Sequence, residues 1–200
     1  MNGLGERFVD ALGYAAHAHA DQVRKGGDVP YVGHLLGVCS LVVEDGGGED
    51  EAIAALLHDA VEDQGGVERL EDIRRRFGER VAGIVLELTD ADGIPKPPWT
   101  ERKLAYLQSL PRASPSGLRV GSADKLHNAR AILMDLRDPE VGTGIFERFN
   151  ADAPRTIGYY DALADAFCRL RPGPLATTLR STVDLLVAES GVAPLGPDDW

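Results

Sequence analysis

Cysteine, methionine and tryptophan are each present only twice among 200 residues. Cys39 and Cys168 lie far apart, neither has a CxxC context, and each falls in an apolar helical pattern. A disulfide framework is thereby excluded, and two buried thiols in a reducing cytoplasm are expected. The chain also lacks a run of about 18 apolar residues that would span a membrane. Its first residues, Met1-Asn2-Gly3-Leu4-Gly5-Glu6-Arg7, hold no basic region followed by an apolar one, so no signal peptide is expected. Positive charge is in deficit, with a net charge of −11. That argues against non-specific nucleic-acid binding. An anionic substrate would have to be drawn in by a local basic cluster. Alternating strand patterns, Asn-Gly hairpin turns and repeats of fixed period are missing as well.

Helical periodicity fills the space these absences leave. Phe8, Val9, Leu12, Ala15, Ala16 and His19 mark a helix over 6–22. A Gly- and Pro-bearing loop follows, and a second helix opens near His34. Gly46-Gly47-Gly48 ends it, and a central helix starts near Asp50. Further helices are expected over 67–77, 79–89, 100–110 with Thr100 as N-cap, 118–136, 153–170 and 174–189. Residues 90–99 hold three prolines and read as a loop, 111–117 is again a loop, and 141–150 is irregular. The expectation is an all-α fold of roughly nine helices around one core, with residues 1–190 as a single domain and 191–200 as a loose tail.

The central helix organises the rest. At 100° per residue, Ile53, Ala54, Leu56, Leu57, Ala60 and Val61 share one arc, and His58, Asp59, Glu62 and Asp63 the other. Three carboxylates within two turns repel, and a cation among them would remove that cost. On this helix alone, a solvated acidic face explains the pattern more readily than a metal. Four other histidines exist: His17, His19, His34 and His127. His34 at a helix start could be a ligand or could bond backbone. His17 and His19 cannot share a helix face, so at least one is structural. Asp124 sits in a mostly inward helix between Val120, Ala123, Leu126 and Ala129, where a carboxylate needs a partner. Asn128, four residues on, shares its face.

His34, then His58-Asp59, then Asp124 resembles the H…HD…D signature of the HD superfamily of metal-dependent phosphohydrolases. One branch is closer. Gln22-Val23-Arg24-Lys25, Pro30-Tyr31-Val32-Gly33-His34, Ala55-Leu56-Leu57-His58-Asp59-Ala60-Val61-Glu62-Asp63, Phe77-Gly78, Leu88-Thr89-Asp90 and Ala123-Asp124-Lys125-Leu126-His127-Asn128 follow the order found in alarmone hydrolases. These are the hydrolase domains of RelA/SpoT-type enzymes and the small stand-alone hydrolases.

The resemblance implies a multi-helix HD-domain bundle and a cytoplasmic enzyme that hydrolyses the 3′-pyrophosphate of ppGpp or pppGpp. By the same resemblance, His34, His58, Asp59 and Asp124 would hold one divalent ion, usually Mn²⁺. Glu62 and Asp63 would be the water-activating pair. Arg24 and Lys25 would line the nucleotide site, Asn128 would bond the ribose, and Arg155 and Tyr159 would contact phosphate and base. Lys103 or Lys96 would help with the pyrophosphate. The implied partner is a small phosphorylated nucleotide, with no nucleic acid and no membrane. Two departures stand out: Leu35 replaces a usual proline, and Gly121-Ser122 precedes Ala123-Asp124 where Lys-Leu is usual. No synthetase domain is expected. Another phosphorylated metabolite as substrate, or a regulatory module without turnover, are the alternatives.

Overall fold

The computed structural model describes residues 3–89 and 97–200, and among these the chain is all-α, with ten α-helices, three 3₁₀ turns and one isolated bridge between Val23 and Pro30. The expected loop over 90–99 falls mostly outside the described residues, and so does Lys96. The chain forms two compact units, one of Met1–Lys96 and Ala113–Ala123, the other of Pro97–Arg112 and Asp124–Trp200.

The first unit holds α1 (Glu6–Ala18), α2 (Val32–Glu44), α3 (Glu49–Leu57), α4 (Ala60–Gln64), α5 (Gly66–Phe77) and α6 (Glu79–Leu88). It also takes the first part of α8 (Pro115–Arg137). Helix α3 is the centre of this unit and packs against α1, α2 and α6. Every residue from Ala52 to Leu57 is fully buried, so this part of α3 has no solvated face. The apolar arc Ile53, Ala54, Leu56, Leu57, Ala60 and Val61 is buried as expected, and Ala52, Ala55 and His58 are buried with it. Alanines at 52, 54 and 55 let neighbouring helices approach on all sides, and Ile53, Leu56 and Leu57 fill the space between them. Each of these three contributes about 1.5–3 kcal/mol of burial.

The segment is also not one helix. Helix α3 ends at Leu57, Asp59 flattens to φ −94° and ψ −4°, and α4 begins at Ala60. Gly65 (φ 136°) and Gly66 (φ 56°) then reverse the chain into α5, in a region of backbone space that side chains disfavour. One carboxylate of this unit is deeply held. Glu51, 6% exposed, accepts from the Gly48 N–H (2.9 Å) and from Arg119 Nη1 (2.6 and 2.7 Å).

Helix α1 stops at Ala18, four residues short of the expected end. His19 to Gln22 form turns, with the Gln22 N–H donating to the His19 carbonyl at 3.1 Å.

The second unit holds α7 (Trp99–Ser109), the remainder of α8, α9 (Ala153–Leu170) and α10 (Pro174–Ser190). Helix α7 starts at Trp99 after Pro98, so Thr100 lies inside the first turn rather than at the cap. Residues expected to be irregular form a 3₁₀ turn at Gly142–Arg148, and α8 begins at Pro115, inside the stretch read as a loop. Helix α9 packs along α10 and against α7. Its N-cap is Asp152, whose Oδ1 accepts from the Arg155 N–H at 3.0 Å.

The last residues are not loose. The Leu195 N–H donates to the Pro154 carbonyl (3.0 Å), Trp200 Nε1 donates to the Leu195 carbonyl (2.7 Å), and the Trp200 ring lies 5.5 Å from Trp99.

Candidate metal centre and its surroundings

His58 keeps helical dihedrals (φ −59°, ψ −33°), the break before α4 falls at Asp59, and both side chains meet His34 of α2. His34, in the first turn of α2, is 2% exposed, and His58 is 3% exposed. Three donor atoms converge. The Nε2 atoms of His34 and His58 are 3.3 Å apart, and Asp59 Oδ2 lies 3.0 Å from His58 Nε2 and 3.6 Å from His34 Nε2. Ligands about 2.1 Å from one ion are separated by about 3.0 Å at a right angle and about 3.4 Å at a tetrahedral angle. The observed triangle therefore matches three ligands on one face of a divalent ion.

The groups behind these donors fit the same purpose. His58 Nδ1 donates to the Ala55 carbonyl at 2.8 Å, which fixes the tautomer and leaves the Nε2 lone pair pointing into the cluster. The Tyr31 hydroxyl donates to Asp59 Oδ2 at 2.5 Å and orients that carboxylate. Tyr31 also sits edge-on to His34, with centroids 5.3 Å apart. Two imidazoles and a carboxylate suit a borderline divalent ion.

Of the four residues expected to hold metal, His34, His58 and Asp59 are brought together within the first unit. Asp124 belongs to the second, at the point where α8 passes to that unit. It is 6% exposed, and both of its oxygens are engaged. Asn128 Nδ2 donates to Oδ1 at 2.6 Å and Lys125 Nζ to Oδ2 at 2.7 Å. Lys125 also rests 4.8 Å from the Tyr106 ring centre. Asn128, expected at a ribose, is thus a partner of the Asp124 carboxylate.

Glu62 and Asp63 lie on the short helix α4, Glu62 half-buried and Asp63 exposed. Asp63 Oδ2 accepts from Gln22 Nε2 at 2.8 Å. Arg24 and Lys25 follow in the loop that closes on itself through Arg24 N–H to Val29 O (2.8 Å) and Tyr31 N–H to Gln22 O (2.9 Å). The Arg24 guanidinium lies 6.0 Å from the Tyr31 ring centre, and Lys25 is exposed.

In the second unit, Lys103 Nζ is 5.1 Å from the Tyr159 ring centre, and Arg155 Nη1 donates to Asp152 Oδ2 at 2.6 Å. Tyr159, expected at the nucleotide base, lies in the aromatic packing of this unit. It is 4% exposed, with Trp99, Tyr160 and Trp200 around its ring, so this packing offers a nucleotide base little surface.

Sequence reasoning assigns no role to Gln22, Tyr31 or His19 individually. His19 is 2% exposed, stacks on Tyr31 (5.3 Å, 23° between planes), and donates from Nδ1 to Gln22 Oε1 at 2.6 Å. Burial pushes its pKa down, against the opposing pull of Gln22, Asp59 and Asp63. A His three residues before a Gln, just ahead of the basic pair, is the signal that points to them.

A profile of the HD domain family matches residues 11–146. The chain belongs to the HD domain family. Among relatives of this HD-domain protein, the mouse guanosine-3′,5′-bis(diphosphate) 3′-pyrophosphohydrolase MESH1 is 36% identical over 133 residues, covering 65% of this chain and 72% of that one. The Xenopus tropicalis protein of the same name is 40% identical over 133 residues, with the same coverage. A solved structure of a metazoan ortholog of SpoT, described as hydrolysing ppGpp and playing a role in starvation responses, superimposes with a TM-score of 0.70. It shares 26% identity and covers 96% of this chain and 99% of that one.

Proposed function

We propose that this HD-domain protein is a metal-dependent hydrolase that removes the 3′-pyrophosphate of ppGpp or pppGpp, releasing pyrophosphate and GDP or GTP. The observation that carries the reading is the His34–His58–Asp59 triangle with Glu62 and Asp63 one turn beyond it. Its setting is a chain 36–40% identical to 3′-pyrophosphohydrolases over 133 residues.

The ion, Mn²⁺ in this proposal, would be held by His34, His58 and Asp59, with Asp124 as the fourth ligand. When bound it lowers the pKa of water and offsets phosphate charge. The chain's own residues do the rest. Glu62 takes the proton of the attacking water, while Asp63, held by Gln22, orients that water. The water oxygen adds to the phosphorus bonded to O3′, the P–O3′ bond breaks, and O3′ leaves as a hydroxyl after taking up a proton. Arg24 and Lys25 face the substrate phosphates and supply the cations that a chain of net charge −11 otherwise lacks. Lys103 and Arg155 are proposed for the pyrophosphate and Asn128 for Asp124, with Tyr159 left to the core.

A cytoplasmic setting accords with two free cysteines, the buried Cys39 thiol being pushed up to about 11 by burial. The test is a substrate panel of ppGpp, GTP, a nucleoside monophosphate and a nicotinamide dinucleotide phosphate, with and without Mn²⁺. Mn²⁺-dependent release of pyrophosphate and GDP from ppGpp is expected to dominate. Strong turnover of another panel member with none of ppGpp would replace the substrate and leave the metal centre standing.

A further inference from the structure

We infer that Gln22 is a positioning residue for the hydrolytic step: one side-chain amide holds the Asp63 carboxylate and, through His19 and Tyr31, braces Asp59. The inference rests on the reading of Asp63 as part of the water-activating pair. Three hydrogen bonds define it. Gln22 Nε2 donates to Asp63 Oδ2 (2.8 Å), and Gln22 Oε1 accepts from His19 Nδ1 (2.6 Å) and from Gln64 Nε2 (2.6 Å).

The orientation of the amide is forced by chemistry. An ionised carboxylate only accepts, so the NH₂ end of Gln22 must face Asp63. The oxygen then faces His19 and Gln64, and both must donate. Neutral His19 is thereby fixed as the Nδ1–H tautomer. Its other nitrogen, Nε2, is buried with no partner among the described residues, a cost the fold carries to keep the ring in place. The ring lies nearly parallel to Tyr31, whose hydroxyl donates to Asp59 Oδ2. One arm from Gln22 therefore reaches the acid at position 63 and another reaches a candidate metal ligand.

Gln22 is itself fixed at both ends of its backbone, its N–H on the His19 carbonyl and its carbonyl under the Tyr31 N–H. Asp63 takes its backbone hydrogen bond from within its own short segment, its N–H donating to the Asp59 carbonyl at 3.0 Å. It is exposed and sits on a five-residue helix closed by Gly65. A helix that short has little intrinsic stability. The Gln22–Asp63 and Gln22–Gln64 bonds bind both sides of its last turn, 41 and 42 residues away in sequence, to the exit of α1.

The test is a double-mutant cycle on ppGpp turnover with a structural readout beside it. Gln22→Glu keeps the size and the oxygen facing His19 and Gln64, but replaces the donor to Asp63 with a second negative oxygen. We expect kcat to fall by about 10–100-fold, the scale for a lost supporting partner. KM, metal content and thermal midpoint should stay near wild type. In an Asp63→Asn background the same substitution should cost nothing further, because the new amide at 63 can donate to the new carboxylate at 22. Additive losses, or a loss carried by KM, metal content or the thermal midpoint, would overturn the inference and make Gln22 a packing residue. Independently of any substrate, ¹⁵N shifts of the His19 ring should report Nδ1 protonation in the wild type and its loss of preference in Gln22→Ala. An Nε2-protonated His19 in the wild type overturns the proposal by itself. A wild type that shows the expected tautomer but no ppGpp turnover refutes the substrate reading and supports the Gln22 geometry.

Discussion

The Nε2 atoms of His34 and His58 face each other across 3.3 Å, although they come from separate helices 24 residues apart. Both rings are nearly inaccessible to water, and His58, its Nδ1 bonded to the Ala55 carbonyl, turns a bare Nε2 toward His34. A divalent cation held there would coordinate both nitrogens and link α2 to the end of α3. The purified protein should hold about one divalent ion per chain, and His58→Ala should lose it. Chelation should lower the thermal midpoint of the wild type and leave that of His58→Ala unmoved. Metal present at about 100 times its dissociation constant corresponds to about 2.7 kcal/mol of stability. Metal analysis with thermal melts decides the matter, and a wild type that neither loads Mn²⁺ nor responds to chelator refutes the site.

Binding and chemistry separate at Glu62. It lies on α4, beyond the three converging donors, and is outside that cluster. Glu62→Gln should leave metal content near wild type and lower kcat by about 100-fold or more, the scale for a lost general base. Loss of metal in this variant would make Glu62 a ligand. Unchanged turnover would remove it from the reaction.

Much of the fold and of the metal centre is legible in the amino-acid sequence, for identifiable reasons. Helix α9 has the bounds expected of it because its start is written locally, in Asp152 as N-cap and Pro154 in the first turn. Periodicity places the apolar arc of α3 in the core, but because it assumes solvent on one side it does not foresee the burial of Ala52 and Ala55. Small alanines at 52, 54 and 55 admit neighbours on every side instead. The bonds from Gln22 to Asp63 and Gln64 are invisible for another reason. They join residues more than 40 positions apart, and no local pattern encodes them. At the end of the chain the prolines and glycines mislead, whereas Leu195 and Trp200 are the signal that it packs.

Asn128 offers a choice between two roles. Its Nδ2 donates to Asp124 Oδ1 at 2.6 Å, which fixes the carboxylate proposed as the fourth ligand. Asn128→Ala should weaken metal affinity by about 10–100-fold with a small change in KM at saturating Mn²⁺. A ribose contact alone would give the reverse, a raised KM with metal affinity intact. Metal titration against steady-state kinetics separates them.

Acid should loosen the first unit through Glu51. Burial alone would raise its pKa, but the Gly48 N–H, the Ser116 hydroxyl and Arg119 together hold it below the ordinary carboxylate value. A depressed folded pKa means that the stabilisation is complete above the unfolded value, about 4.3. It is lost as pH falls through the lower folded value. Wild-type stability should therefore drop as pH falls below about 4.3, and Glu51→Gln should be flatter over that range. At neutral pH, Arg119→Met should cost about 3 kcal/mol, since it leaves a buried carboxylate without its cation. Denaturant melts at several pH values provide the measurement. Equal slopes in wild type and Glu51→Gln would assign the acid response to other carboxylates.

The carboxy-terminal segment is seated through the absence of a side chain at Gly158. A Cβ there would stand 1.9 Å from the Leu195 carbonyl oxygen and 2.9 Å from its carbon. No rotamer relieves this, because both partners are backbone. The Leu195 carbonyl is also the acceptor for Trp200 Nε1, and the Leu195 N–H is bonded to Pro154. Gly158→Ala must therefore lift this segment off α9, losing both hydrogen bonds and the Trp200 packing against Trp99 and Tyr159. Strain of this kind costs about 1–3 kcal/mol or more. The expected result is a lower thermal midpoint and greater exposure of Trp200 by fluorescence quenching. In a chain ending at residue 191 the obstacle is gone, so Gly158→Ala should there be neutral or slightly stabilising, as alanine is the better helix former. An equal loss in full-length and shortened chains would place the cost within α9 itself and refute the seating of this segment.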